Sequence, residues 1–150
     1  MKKRIKLITS FFYLGHSPYM PGTVGSLGGL IAYFLVRENT ILYAFSLIFL
    51  FMLGMMFTAE AERIYKRKDP QMIVIDEASG MMLSLFLVPY SWRAVVIGFL
   101  IFRIFDIIKV FPARRIERLS GAFGIMFDDI IAAIYTNAIL QLLTRVFNLF

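Results

Sequence analysis

Long apolar stretches, separated by short basic or Pro/Gly-marked breaks, set the pattern of this chain. Thr40 to Phe57 runs for eighteen residues without a charge, enough for a helix that crosses the ~30 Å hydrocarbon core of a bilayer. Trp92 to Ile108 and Gly124 to Phe147 are two further apolar stretches, each with ionised groups near one end. Ile73 to Val88 is a fourth, closed by Pro89. Val24 to Val36 has only thirteen residues, about 20 Å of helix at 1.5 Å per residue. It reads as a tilted short span, a re-entrant piece, or a helix lengthened by its Gly-rich start. Turn signals fall where the stretches end: Ser17-Pro18, Pro21-Gly22, Asp69-Pro70, Pro89 and Pro112. The expected fold is all-α, a polytopic integral membrane bundle of four to five segments, forming a single domain over residues 1–150. Residues 1–16, basic and then apolar without a small-x-small cleavage site, read as an interfacial amphipathic segment rather than a signal peptide.

Composition strengthens this picture. Hydrophobic residues make up 59% of the chain and charged residues 17%, against about 45–50% and 25% in soluble domains. Such a chain cannot cover its surface with polar groups, so lipid is its expected outer solvent. The net charge of +6 collects in clusters beside apolar stretches, at Lys2 to Lys6 and Lys66 to Lys68, which suits anionic headgroups. No aromatic residues interleave these clusters on a polar surface, which argues against nucleic acid. The chain has no cysteine, so disulfides, zinc–thiolate sites and a cysteine nucleophile are excluded.

Charge also orients the segments. Taking five crossings, Lys2 to Lys6, Arg63 to Lys68 and Lys109 to Arg118 share one side. The other side holds only the Arg37–Glu38 pair, Arg93 and Arg145. The positive-inside rule places the first side in the cytoplasm.

The acidic residues carry the chemical information. Seven of the ten lie near segment ends on that same side: Glu60, Glu62, Asp76, Glu77, Asp106, Asp128 and Asp129. Ionisable groups within membrane segments are costly and point to function. Asp106 follows Arg103 by three residues, on one helical face. Taken singly, Asp76 reads equally as a helix cap, Arg103 as a snorkelling side chain, and Asp128 as the partner of a lysine. Together, Asp76, Glu77, Asp106, Asp128 and Asp129 read as an oxygen-ligand pool suited to Mg²⁺ or Mn²⁺. Arg103 and Lys109 are then candidate phosphate ligands. Glu60 and Glu62 read instead as a solvated, i,i+4-paired helix face. His16 reads as an interfacial or packing residue.

The stretch Pro21-Gly22-Thr23-Val24-Gly25-Ser26-Leu27-Gly28-Gly29 offers a second candidate. Glycines ahead of a helix let backbone N–H groups approach a phosphate, with Thr23, Gly25 and Ser26 as the expected contacts. The alternative is close helix packing through small residues. It is no Walker loop, since no Gly-Lys-Ser/Thr follows. With no cysteine, one histidine and no Asp-x-Asp motif, metal-assisted attack on phosphorus remains, by water or by a carboxylate.

Four ordered strings resemble the phosphatidylglycerophosphatase A family of bacterial lipid phosphatases. They are Ser17-Pro18-Tyr19-Met20-Pro21-Gly22-Thr23-Val24-Gly25-Ser26-Leu27; Ile73-Val74-Ile75-Asp76-Glu77 with Gly80-Met81; Phe102-Arg103-Ile104-Phe105-Asp106-Ile107-Ile108-Lys109; and Gly124-Ile125-Met126-Phe127-Asp128-Asp129-Ile130. The resemblance covers about Ser17 to Tyr135. It implies Mg²⁺-dependent hydrolysis of phosphatidylglycerophosphate to phosphatidylglycerol and inorganic phosphate, with a bilayer phospholipid as substrate and the bacterial cytoplasmic membrane as the location. Two positions depart from the family pattern: Lys109-Val110-Phe111-Pro112 replaces Lys-Pro-x-Pro, and Ala122 replaces a common Gly. Both affect loop stiffness more than chemistry.

Two rival readings stand beside this one. A phospholipid-forming transferase also uses aspartates and Mg²⁺, but its Asp-Gly-x2-Ala-Arg…Gly-x3-Asp-x3-Asp signature is missing. A divalent-cation transporter would place its carboxylates near mid-membrane, whereas these gather at one end.

Overall fold

The computed structural model describes residues 1–146. Within them the chain is helical, in seven α-helices and one 3-10 turn, with no strand. Helix α1 (Lys2–Thr9) leads through the turn Leu14–His16 to α2 (Pro21–Val36) and α3 (Thr40–Tyr65). Then come α4 (Ile75–Leu85), α5 (Trp92–Ile108), the single turn α6 (Ala113–Ile116) and α7 (Ala122–Arg145).

Local chemistry sets the ends of these helices. Pro21 opens α2, where its missing N–H leaves no bond unmade. The Asn39 side chain accepts from the Ile41 and Leu42 N–H groups at 3.1 and 3.0 Å to start α3. Ser91 caps α5 by accepting from the Ala94 N–H at 3.0 Å. Helix α4 stops where Phe86 turns extended, and Leu87 then adopts a positive φ of 57° ahead of Pro89.

Two helices, α3 and α7, are long and apolar enough to cross a membrane, and α2 is a shorter apolar helix. Their outer faces are apolar and open: Ile41, Phe45 and Ile48 of α3 are 83%, 67% and 62% exposed. Leu35 on α2 and Leu100 and Ile107 on α5 continue this surface. So large an apolar surface marks a membrane-associated protein.

The observed helices depart from the expected segments chiefly at α3, which continues past Phe57 to Tyr65, and at α4. The stretch Ile73 to Val88 contains only an eleven-residue helix, α4, about 16 Å long. Nine of its residues are buried, so it is an internal helix enclosed by protein, not a lipid-facing span. The short segment Val24 to Val36 begins at Pro21, lengthened by its Gly-rich start as one of the expected alternatives has it. The last segment ends at Arg145 as described, and Phe147 lies outside the described residues.

α4 sits at the centre, packed against α2 on one side and α7 on another. Glycine makes the α2 contact close. A Cβ on Gly25 would fall 2.6 Å from the Val74 Cβ, and one on Gly29 would fall 2.9 Å from the Ala78 Cα. Gly80 does the same for α4, where a Cβ would meet the Phe102 ring at 2.8 Å. The helices alternate in direction. Phe34 near the end of α2 meets Trp92 at the start of α5. Tyr43 near the start of α3 meets Phe86 beyond α4. At the opposite end, the Thr9 carbonyl accepts from the Val74 N–H at 2.9 Å, which ties the N-terminal segment to the start of α4.

Candidate active site

The starts of α2, α4 and α7 and the finish of α5 meet at one end of the bundle, and the carboxylates come with them. Adjacent residues on a helix point about 100° apart, so each acidic pair serves two neighbours. Asp129 faces Asp76 and Glu77, while Asp128 faces Lys109. All four aspartates are buried, with Asp128 and Asp129 only 3% and 1% exposed.

The five carboxylates divide into two groups. Asp106 and Asp128 have cationic partners: Asp106 accepts from Arg103 Nη1 and from Lys109 Nζ, the latter at 2.8 Å. Asp128 accepts from Lys109 Nζ at 2.6 Å and from the Asp129 N–H at 2.9 Å. Asp76, Glu77 and Asp129 form the other group. Each offers an oxygen, and the three oxygens lie within 4.8 Å of one another. Asp76 Oδ1, Glu77 Oε2 and Asp129 Oδ2 are buried without a hydrogen-bond partner. Orphaned buried oxygens of this kind are expensive, and a hard divalent cation satisfies all three together. In an octahedral shell with ligands at 2.0–2.1 Å, oxygens sit roughly 3–4 Å apart, so a small closure suffices. The donor set fits Mg²⁺ or a similar ion.

Arg103 borders this triad. Its Nη1 reaches Ser26 Oγ at 3.5 Å as well as Asp106, and its buried Nε has no partner. A cleft of about 280 Å³ opens here, lined by Gly22, Thr23, Gln71, Glu77 and Arg103, with Met20 at its edge. The first intrahelical bond of α2 is donated by Val24 to the Met20 carbonyl at 3.1 Å. The N–H groups of Gly22 and Thr23 therefore precede the helical ladder and carry the positive end of its dipole. No side chain caps that end.

The expected phosphate contacts separate on this geometry. Thr23 and Arg103 both line the cleft. Ser26 donates to the Gly22 carbonyl at 2.9 Å and braces Arg103. Gly25 does not line the cleft: nearly one turn deeper in α2 than Gly22, it is buried against Val74. Lys109 also differs from expectation. Its ammonium donates to Asp128 at 2.6 Å and to Asp106 at 2.8 Å and lies 3.6 Å from Asp129, so it is turned to carboxylates and does not line the cleft. Burial works against that charge, but the three carboxylates overcome it and raise the Lys109 pKa.

Gly22 and Gln71 are site residues that the sequence reading passed over. A Cβ on Gly22 would press on Glu77 Oε1 and come within 3.1 Å of Arg103 Nη2. A helix start at Pro21 puts Gly22 in the first turn, at the mouth of the cleft, and Gly25 and Gly29 deeper along the helix. Glu60 and Glu62 are not ion-paired among the described residues; Glu62 accepts from the Asp69 N–H at 2.9 Å and ties down the α3–α4 loop. His16 stands 3.4 Å from the Tyr65 hydroxyl.

A carboxylate triad able to hold a metal ion, beside an arginine and an open helix start at one end of a membrane-associated bundle, fits the class of enzymes that act on phosphate groups. The family described as phosphatidylglycerophosphatase A matches residues 7–144. A phosphatidylglycerophosphatase A of Escherichia coli K12 is 33% identical over 148 residues, covering 93% of this chain and 86% of its own length. A phosphatidylglycerophosphatase A of Haemophilus influenzae is 39% identical over 120 residues, covering 77% and 73%. A Bacteroides thetaiotaomicron protein, named "Putative phosphatidylinositol-3-phosphatase", is 35% identical over 138 residues, covering 87% of each chain. No solved structure matches the chain. The chain belongs to the phosphatidylglycerophosphatase A family, and it is a phosphatase.

Proposed function

We propose that this chain hydrolyses phosphatidylglycerophosphate to phosphatidylglycerol and inorganic phosphate with Mg²⁺. The reaction takes place at the cytoplasmic face of the bacterial inner membrane and closes phosphatidylglycerol synthesis. One observation carries this reading: three carboxylates, each with a buried, unpartnered oxygen, converge beside Arg103 at the cleft. Asp76, Glu77 and Asp129 hold the ion. When bound, it supplies charge neutralisation and Lewis acidity to the phosphate. Arg103, held by Asp106 and Ser26, donates to phosphate oxygens at the cleft. The Gly22 and Thr23 N–H groups complete the anion contacts.

Topology supports the same reading. Helices α2, α3, α4, α5 and α7 alternate in direction, and the basic loops all lie at the carboxylate end; the Lys68 ammonium donates to the Arg118 carbonyl at 3.0 Å. In this five-crossing arrangement α4 is the inner crossing, continued by the irregular residues 86–90. Asn137 and Gln141 donate to the Phe86 carbonyl and Arg145 donates to the Leu87 carbonyl. Irregular backbone at membrane depth is tolerated when protein covers it in this way.

The name of the Bacteroides relative raises a second substrate, phosphatidylinositol 3-phosphate. Phosphate release from both lipids and from phosphatidic acid, by purified protein in mixed micelles with Mg²⁺, decides between them. Release from phosphatidylglycerophosphate is expected to be fastest and to stop on chelation with EDTA. Activity indifferent to EDTA, or a preference for the inositol lipid, overturns the assignment.

A further inference from the structure

The five carboxylates are enough to hold two divalent ions, and many phosphate-processing centres use two at about 3.5–4 Å. Here, however, a side chain already lies among the carboxylates beyond the triad. Lys109 Nζ is 2.8 Å from Asp106, 2.6 Å from Asp128 and 3.6 Å from Asp129. Those three come from two helices, α5 and α7, and an ion bridging them would take the volume the ammonium fills.

We infer that Lys109 takes the place of a second metal ion, so that the centre binds one divalent cation, at Asp76, Glu77 and Asp129. The inference deepens the metal reading proposed above and rests on it. The hydrogen-bond accounting fits it. Oxygens of Asp76, Glu77 and Asp129 are orphaned, whereas Asp106 and Asp128 are engaged by cations. Asp129 belongs to both groups, with one oxygen 3.6 Å from the ammonium and Oδ2 unpartnered. It couples the fixed charge to the exchangeable one. Lys109 is accordingly a positioning residue. Its backbone conformation helps: it caps α5 in the left-handed region, with φ of 55°, and this turns the chain beyond the helix while the side chain folds back to Asp106.

Manganese binding tests the inference directly. The full chain in detergent micelles is titrated with Mn²⁺ without substrate, and bound ion is measured by electron paramagnetic resonance and by metal analysis. Wild type is expected to bind one Mn²⁺ per chain with an uncoupled six-line spectrum. Lys109→Met is expected to bind a second ion and show the broadened spectrum of an exchange-coupled pair. Lys109→Arg, which keeps the charge, is expected to return the count to one. Two coupled ions in wild type, or an unchanged single ion in Lys109→Met, overturns the role given to Lys109 while leaving the triad intact. No bound ion in wild type removes the metal reading itself. Should Lys109→Met fail to fold, the wild-type count and spectrum still decide.

Discussion

The two ends of this bundle are built from similar material and finished in opposite ways. At the Arg37 end, Asn137 donates to the Ser84 and Phe86 carbonyls at 3.1 and 2.8 Å, and Arg145 donates to the Leu87 carbonyl at 3.0 Å. Tyr43 closes on the Met82 carbonyl, and Arg37 lies 3.8 Å over the Tyr90 ring while bridging Glu38. At the carboxylate end, Asp76, Glu77, Arg103 and Asp129 each bury an atom with no partner. Among the described residues, every such orphan is found there. A satisfied polar network rigidifies a fold, whereas an unsatisfied one stores binding capacity. The difference separates the groups that hold the molecule together from those that await a ligand.

Substitutions can break that division. The largest effect is expected from Asp129→Asn, which keeps the shape but removes the charge shared by both groups. Phosphate release should fall by more than about 100-fold, since even outer-sphere changes around a metal commonly cost 10–100-fold. The melting temperature should hold or rise, and a collapse of the fold instead would make Asp129 a structural residue. Next comes Arg103→Lys, which keeps a charge but loses the planar fork. A fall of about 10- to 100-fold in kcat/KM is expected, with Mn²⁺ binding retained; a matching loss of metal would show that Arg103 organises the triad.

At the other end the signs reverse. Asn137→Ala strips donors from the carbonyls that finish α4, and buried acceptors left alone cost about 1–3 kcal/mol. Thermal unfolding in micelles should shift downward, while turnover measured below the transition stays as in wild type. The smallest effect is expected for Glu38→Ala. The Glu38 side chain is 81% exposed in its bridge to Arg37, and exposed pairs contribute about 0–1 kcal/mol. A loss of activity in either variant would mean that the Arg37 end takes part in the chemistry.

The sequence exposes much of this arrangement because charge inside an apolar stretch is conspicuous. Asp76, Asp106 and Asp128 stand out from their surroundings, and the Arg103–Asp106 spacing already places both on one helical face. The extent of α5 coincides with the apolar stretch Trp92 to Ile108. The shape of α4 is not legible in the same way. Ile73 to Val88 is equally apolar whether lipid or protein surrounds it, and periodicity does not distinguish the two. Lys109 has the same difficulty: its spacing from Asp106 is local, but its contact with Asp128 spans nineteen positions and exists only after α5 and α7 pack. Gly22 and Gly25 look alike in the string, and only their depth along α2, fixed once α2 packs on α4, brings one to the cleft and the other to Val74.

The lip of the cleft has a kinetic consequence. Met20 borders it, and Met20 and its neighbour Tyr19 are 66% and 82% exposed, an apolar rim beside the polar opening. If that rim rests among the headgroups, a lipid reaches Arg103 by lateral diffusion without leaving its leaflet. Turnover should then follow the mole fraction of substrate in the surface, and diluting vesicles in buffer at fixed composition should leave the rate per enzyme unchanged.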